Sequence, residues 1–359
     1  MRIHALEAFI LSEERVRLAS VGLGSWAHVL AEAAQRGDRI DLVNCYSRSE
    51  ESRAVFRQAY GVPRASGSLD ALLSDSEIEG VVVTTPNDIH EPIILECLDA
   101  GVPVFTEKPI ADTLTSAASV ARAVDASGVL FAVGHSARRL GGHRVMKRWI
   151  DEGRLGGVSM AECNFTTARG LSLTDDSWRF YTEKSPGGSL IQLGVHHADT
   201  LQYLLGPVQA VSGHVRRLHT PAEVPDTTMS VLEFESGALA YLGAGWASPG
   251  VYQLRLQGTE ANLFYDLDLG NWSKSHLLDE ASTLESRHRD GRQAIEIPHT
   301  DMFREELEEF AWAIRGQGTI EVGADEAIRA LAVVEAAIES SRRRGQAIEL
   351  DPLIAAARV

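Results

Sequence analysis

Between Val16 and His135 the chain alternates short, unbroken apolar runs with longer helical stretches, and nothing else in it restricts the fold so tightly. The runs at residues 16–22, 41–47, 80–85, 102–106 and 129–134 do not alternate polar with apolar. That is the signature of parallel strands buried on both faces. Helical patterns occupy residues 25–36, 49–60, 88–100 and 113–127, with a short helix at 68–73. Strand and helix in strict turn require right-handed crossovers and a doubly wound α/β sheet.

The character changes after an amphipathic stretch at residues 142–152, at Leu155-Gly156-Gly157. Beyond it, runs at 158–166, 208–218, 227–234, 239–247 and 252–257 show period-two alternation, which suits an antiparallel sheet with one wet face. Two amphipathic helices, at 301–316 and 323–343, follow. The expected organisation is an N-terminal extension over 1–15, a Rossmann-type dinucleotide domain over 16–140, and an α/β domain over 141–359 for substrate binding and oligomerisation. The final helices are candidates to fold back on the first domain.

The chain has 359 residues and 44 % apolar content, enough for two domains with substantial cores. Lys and Arg number 34 against 50 Asp and Glu, a net charge of −16. Such a field repels nucleic-acid backbones and anionic membranes, so neither is expected as a partner. Cys45, Cys97 and Cys163 show no paired spacing, and no acidic or histidine cluster has ligand spacing, so neither disulfide nor metal is expected. Glu7, Glu13 and Glu14 interrupt any leader-like pattern, and no run of about 18 apolar residues occurs. The expectation is a cytoplasmic protein.

Gly22-Leu23-Gly24-Ser25-Trp26-Ala27 matches G-x-G-x-x-G/A directly after a strand and opening a helix. The two glycines permit a tight turn and close backbone approach to a pyrophosphate, whose charge faces the helix dipole. The second strand ends Tyr46-Ser47-Arg48, with no carboxylate for ribose hydroxyls. A donor and a cation there favour a 2′-phosphate, hence NADP over NAD, although Arg48 stacked on adenine or merely solvated would suit NAD. Thr85, Pro86, Asn87 and His90 follow the third strand, where ligands of open α/β sheets lie. An N-cap role for Asn87 or Asp88 is the alternative.

Glu107-Lys108-Pro109 ends another strand at the same edge. Some eighty residues on, Pro186-Gly-Gly-Ser-Leu-Ile-Gln192-Leu-Gly194-Val-His196-His197-Ala-Asp199 places an imidazole at the start of a helix. A lysine and a histidine so placed read as the two halves of a proton-handling site for a carbon bearing a hydroxyl. His135, Arg138 and Arg139 follow the last Rossmann strand, and Arg138 either binds an anionic substrate group or forms a salt bridge across the domain boundary. Trp178-Arg179 and Arg169 precede the Gly-Gly motif as candidate substrate contacts.

In the order and spacing of these motifs, from residue 16 to the last helix, the chain resembles the glucose-fructose oxidoreductase and inositol dehydrogenase family (Gfo/Idh/MocA). The resemblance implies a Rossmann domain followed by an α/β domain with an open, mostly antiparallel sheet used for dimer or tetramer contacts. It further implies reversible NAD(P)-dependent oxidation of secondary alcohols on sugars, cyclitols and related polyols. By position, Lys108 becomes the lysine of the E-K-P motif, with a cis bond before Pro109, and His196 the acid/base. One position departs: where members commonly carry Asp four residues before the histidine, this chain has Gln192, which can hydrogen-bond but not titrate. Asp199 is placed to orient His196 or to pair locally, and His197 to serve behind it or to fill the core. Cofactor-recycling chemistry without net redox change, and a non-catalytic dinucleotide sensor, are the competing readings.

Overall fold

The computed structural model describes residues 15–358, so the extension expected over 1–15 lies, but for Arg15, outside the described residues. In chain order the elements begin β1 (Val16–Val21), α1 (Ser25–Arg36), β2 (Ile40–Tyr46), α2 (Glu50–Tyr60), α3 (Leu69–Leu73), β3 (Gly80–Val83), α4 (His90–Asp99), β4 (Val104–Glu107), α5 (Leu114–Ser127) and β5 (Phe131–Gly134). There follow α6 (Gly141–Asp151), β6 (Val158–Thr166), α7 (Val195–Leu205), β7 (Val208–Arg216), β8 (Thr227–Phe234), β9 (Leu239–Gly245), β10 (Val251–Gly258), β11 (Asn262–Leu267), β12 (Ser282–His288) and β13 (Gly291–Ala294). The chain closes with α8 (Met302–Ile314), α9 (Ala324–Arg342), β14 (Ile348–Glu349) and α10 (Leu350–Ala357). Two compact units result. The first runs to Glu107 and adds Val120–Gly134 and Phe303–Ala324; the second comprises Lys108–Ser119, His135–Met302 and the chain from Asp325 onward.

In the first unit five parallel strands lie in the order β2-β1-β3-β4-β5. Every residue of β3, β4 and β5 is buried, which is why these runs carry no polar alternation. The strand order reverses between β1 and β3, the place where open α/β sheets bind ligands. Helix starts follow side-chain chemistry: Ser49 accepts the Ser52 amide at α2 and Ser68 the Ala71 amide at α3. The late segment Phe303–Ala324 belongs to this unit, with Phe310 tilted against Phe105 at 5.9 Å.

The second unit is built on nine strands in the order β13-β12-β11-β10-β6-β9-β8-β7-β14. All neighbours are antiparallel except β6 and β9. Along β8, Thr228, Ser230, Leu232 and Phe234 are buried while Met229, Val231 and Glu233 face out, the period-two alternation of a sheet with one wet face. Strands β11 to β13 and helix α10 go beyond the expected pattern. β12 and β13 form a polar hairpin at the sheet edge, rich in Arg287, His288, Arg289 and Arg292, with β13 exposed throughout. Charge protects such an edge from pairing, and it also hides the strand from a hydrophobicity reading. No helix among the described residues is long and apolar enough to cross a membrane.

The turn before α7 sets the geometry of the second unit's centre. Gly187 and Gly188 adopt φ of +84° and +51°, and the Ser189 amide donates to the Pro225 carbonyl at 3.1 Å. The next residues, Leu190–Gly194, form a π-helical turn instead of an ordinary helical one. Gly194 makes the wide turn possible, since a Cβ there would lie 2.6 Å from Leu190 Cδ1 and 3.2 Å from Ala244 Cβ on β9. π-turns within helices recur at functional sites because they re-aim side chains.

A Cβ on Gly188 would stand 2.1 Å from the Pro225 carbonyl oxygen, in a backbone conformation that L residues avoid. Gly188→Ala is therefore expected to destabilise the protein by roughly 2–5 kcal/mol, combining left-handed strain and overpacking. Thermal and urea midpoints measure this. An unchanged midpoint would mean that the turn relaxes freely.

Candidate active site

In the first unit, the residues around the β1/β3 reversal form a cradle for an anion. Gly22 has φ of +84°, and a Cβ there would meet Thr85 Cγ2 at 2.6 Å and the Thr85 amide nitrogen at 2.9 Å. Gly24 faces open space, and no side chain caps the first turn of α1. Those amides and the helix dipole are left for a ligand's negative charge. Ser25 is exposed at the helix start. Ala27 is buried in a cluster with Leu23, Ala31 and Cys45, which requires a small residue. Trp26 Nε1, Thr85 Oγ1 and Asn87 Nδ2 are buried without hydrogen-bond partners. Three orphaned polar atoms around one glycine cradle fit a bound dinucleotide, since such groups are costly to leave unsatisfied.

The other expected contacts of this unit divide. His90 is buried, and its Nε2 donates to the Thr85 carbonyl at 2.9 Å, so it shapes the turn. Pro86 precedes a 3₁₀ turn over Asn87–Ile89, and the Asn87 side chain does not cap it. Arg53 fixes the loop after β2 by donating to the Ser47 carbonyl at 2.5 Å. Arg48 is exposed, with no hydrogen bond or ion pair of its own side chain among the described residues. Glu107 is buried, its Oε1 3.2 Å from where a Cβ on Gly134 would lie.

The second unit begins at Lys108, the residue immediately after β4, and the Lys108–Pro109 bond is cis. Lys108 Nζ donates to the backbone carbonyl of Gln192 in the π-turn at 3.3 Å. His196, the second residue of α7, is buried with Nδ1 unpartnered. Its ring is walled by Phe165 at 5.6 Å and by Trp272, edge-on at 5.4 Å. Burial, then the positive charge of Lys108, hold its pKa well below the usual 6.5, so the imidazole is neutral at pH 7. A neutral imidazole can accept a proton, and an ammonium can stabilise an oxygen gaining negative charge.

The neighbours of this pair take the local alternatives. Asp199 does not orient His196. Both its oxygens are taken by Arg138, with Nε to Oδ2 at 2.7 Å and an Nη to Oδ1 at 2.6 Å, and both residues are buried. Arg138 and Asp199, expected to contact substrate, are committed to one another inside one unit rather than across a boundary. His135 Nδ1 lies 3.9 Å from Asp199, and burial pushes the His135 pKa down to about 4. His197 is fully buried, 4.6 Å from the Tyr252 ring, with its pKa pushed to about 4 by desolvation. One residue along a helix turns a side chain by roughly 100°, which carries His197 inward and away from substrate.

Gln192 holds three contacts. Besides Lys108 on its backbone oxygen, its Oε1 accepts from Arg179 Nε at 3.2 Å, and its Nε2 donates to Ser185 Oγ at 3.4 Å. Arg179 stacks on Trp178 at 4.2 Å, and the Arg169 side chain is exposed without a partner among the described residues. Trp272, Phe165 and Ser185 were not singled out from sequence. Trp272, an aromatic stranded in a polar loop after Asp268-Leu-Gly-Asn, carried the only usable signal. No group of His, Cys, Asp and Glu among the described residues could hold a metal.

Comparison with known proteins agrees with this division. Residues 16–135 match the oxidoreductase family with the NAD-binding Rossmann fold (GFO_IDH_MocA), and residues 143–264 match the GFO/IDH/MocA C-terminal domain. A crystal structure from Desulfitobacterium hafniense, described as that of an NADPH-dependent oxidoreductase, superposes with a TM-score of 0.92 at 40 % identity, covering 95 % of this chain and 99 % of that one. The 1,5-anhydro-D-fructose reductase of Ensifer adhaerens is 25 % identical over 93 % of this chain and 98 % of its own. The NAD-dependent scyllo-inositol 2-dehydrogenase of Bacillus subtilis is 29 % identical over 70 % and 74 %.

The Arg138–Asp199 pair generates a stability prediction. Arg138→Ala leaves a buried carboxylate uncompensated and is expected to cost about 3–5 kcal/mol. Adding Asp199→Asn should recover part of that loss in the thermal midpoint, whereas additive losses would show that the two are not coupled.

Proposed function

This chain belongs to the Gfo/Idh/MocA oxidoreductase family, and from that premise we propose that it oxidises or reduces a secondary alcohol or ketone of a sugar, cyclitol or related polyol. Gly22, Gly24, the α1 amides, Thr85 and Asn87 would hold a dinucleotide, which when bound would supply the hydride acceptor or donor. In oxidation, His196 takes the hydroxyl proton as the carbinol carbon gives up hydride. Lys108 stabilises the oxygen as charge develops on it, and its bond to the Gln192 carbonyl aims its ammonium. Phe165 and Trp272 exclude water from the imidazole. The observation that carries this reading is the buried His196, its Nδ1 without a partner, four residues after the Gln192 whose carbonyl accepts from Lys108 Nζ.

The absence of a carboxylate at Tyr46-Ser47-Arg48, together with the unpaired Arg48, supports NADP over NAD. Relatives of both kinds occur. Assembly as a homodimer or homotetramer through the nine-stranded sheet follows from the same reading. Its support is the outward row Met160, Leu239, Val231 and Met229, which are 39–58 % exposed and share one sheet face. Light scattering decides it, and a monomer at micromolar concentration would count against it.

Lys108→Ala and His196→Ala should each lower kcat by roughly 10²- to 10⁴-fold while dinucleotide binding by calorimetry is retained. Near-normal turnover in both would refute the assignment. Because the His196 pKa is depressed, the base stays unprotonated until the pH falls below 6.5. The acid limb of kcat/KM for alcohol oxidation should therefore lie under 6.5, and a limb above that value contradicts the role. Arg48→Asp should shift the NADP to NAD preference by at least about tenfold toward NAD.

A further inference from the structure

In the second unit Arg179 meets the side chain of Gln192, and the charge of Arg169 lies close to Arg179, with no carboxylate among the described residues paired to either. Arg179 is half-buried and spends Nε on the Gln192 amide and one face on Trp178. Among the described residues it has no ion-pair partner, nor has Arg169. Burial, with Arg169's charge close by, pushes the Arg179 pKa down to about 9, the mark of a positive charge held without compensation. The contrast lies inside the same unit, where Arg138 is saturated by both oxygens of Asp199. A carboxylate at position 192 would do for Arg179 what Asp199 does for Arg138. An amide fixes the guanidinium in place and leaves its charge unspent.

The contacts also say where that charge is aimed. The Gln192 residue that takes Arg179 on its side chain takes Lys108 on its backbone, so the guanidinium and the lysine of the proton-handling pair are held by one residue. The Nη edge of Arg179 is uncommitted, and that edge presents parallel N–H donors suited to an oxyanion. We propose that the substrate is an anionic polyol whose oxyanion, a carboxylate or a phosphate, is bound by Arg179 and Arg169, with Gln192 as the neutral positioning residue that keeps the arginines available. This rests on the alcohol-oxidoreductase reading and names its substrate class.

The test compares three matched arms with the intact enzyme and cofactor: a neutral aldose or cyclitol, the corresponding aldonate or uronate, and the sugar phosphate. One anionic arm should exceed the neutral arm in kcat/KM by about 10- to 100-fold, the worth of a charge-assisted contact. Which arm wins separates carboxylate from phosphate. Arg179→Gln, Gln192→Asp and the exposed Arg169→Gln should each raise KM for the preferred anion, by about tenfold for the first two, and each should raise KM for the anion more than KM for a neutral polyol. KM for the anion should also rise with ionic strength. Equal or better use of neutral polyols, with no effect of Arg169→Gln on either class, overturns the proposal and leaves the redox reading intact. If no polyol of either charge reduces the cofactor, the redox reading falls. Calorimetric binding of the anions to wild type and Arg169→Gln then still decides the oxyanion site, and absence of binding overturns it.

Discussion

The centre of the second unit depends on the commitment of one carboxylate. Asp199 sits three residues after His196 on α7, close enough to have shared a proton with a histidine, yet both its oxygens are fixed by Arg138. Breaking that pair would strand a charge in a dry interior, so the arrangement is held firmly. With Asp199 withdrawn, burial first and then the ammonium of Lys108 drive the imidazole neutral. A histidine paired with an open carboxylate would instead be drawn toward its charged form. The acid/base character assigned to His196 thus follows from burial first, without an opposing carboxylate.

The π-turn at Leu190–Gly194 has a comparable reach. It brings Gln192 to Lys108 through the backbone and to Arg179 and Ser185 through the side chain. An ordinary helical turn would stack residue 192 beneath residue 196, the relation that i and i+4 spacing describes. Within this turn the carbonyl of Gln192 accepts from Lys108, outside the helix. Its cost is met by Gly194, which lets the turn lie against Leu190 and β9, and by the two left-handed glycines that launch it.

Much of this was legible in the chain because burial on both faces writes itself plainly. β3, β4 and β5 are apolar at almost every position and could hardly be other than central parallel strands. The glycine cradle was legible for a different reason: only glycine tolerates the approach of Thr85 at Gly22. Lys108, Gln192, His196 and Arg179 were also visible as residues of interest, and they meet in one cluster. What sequence did not carry was partnership. Nothing local indicates that Arg138 reaches Asp199, 61 residues away, or that Trp272 comes from a polar loop to wall His196. The β12–β13 hairpin was hidden because its residues answer to edge protection rather than to a core.

Arg138 and Arg179 show how the partner, and not the residue type, assigns the role. Each guanidinium has five donors in a rigid fork and cannot shed its charge at neutral pH. Given a carboxylate, the fork closes and the charge becomes scaffold, as at Arg138. Given an amide, one donor is satisfied and the rest of the fork keeps its charge, as at Arg179. Gln is one methylene longer than Asp and carries no charge, so the exchange at position 192 changes both the reach and the electrostatics of that side chain. Under the proposal of an anionic substrate, Gln192 in place of the family's Asp alters the charge that the site would receive, while the Gln192 backbone still accepts from Lys108.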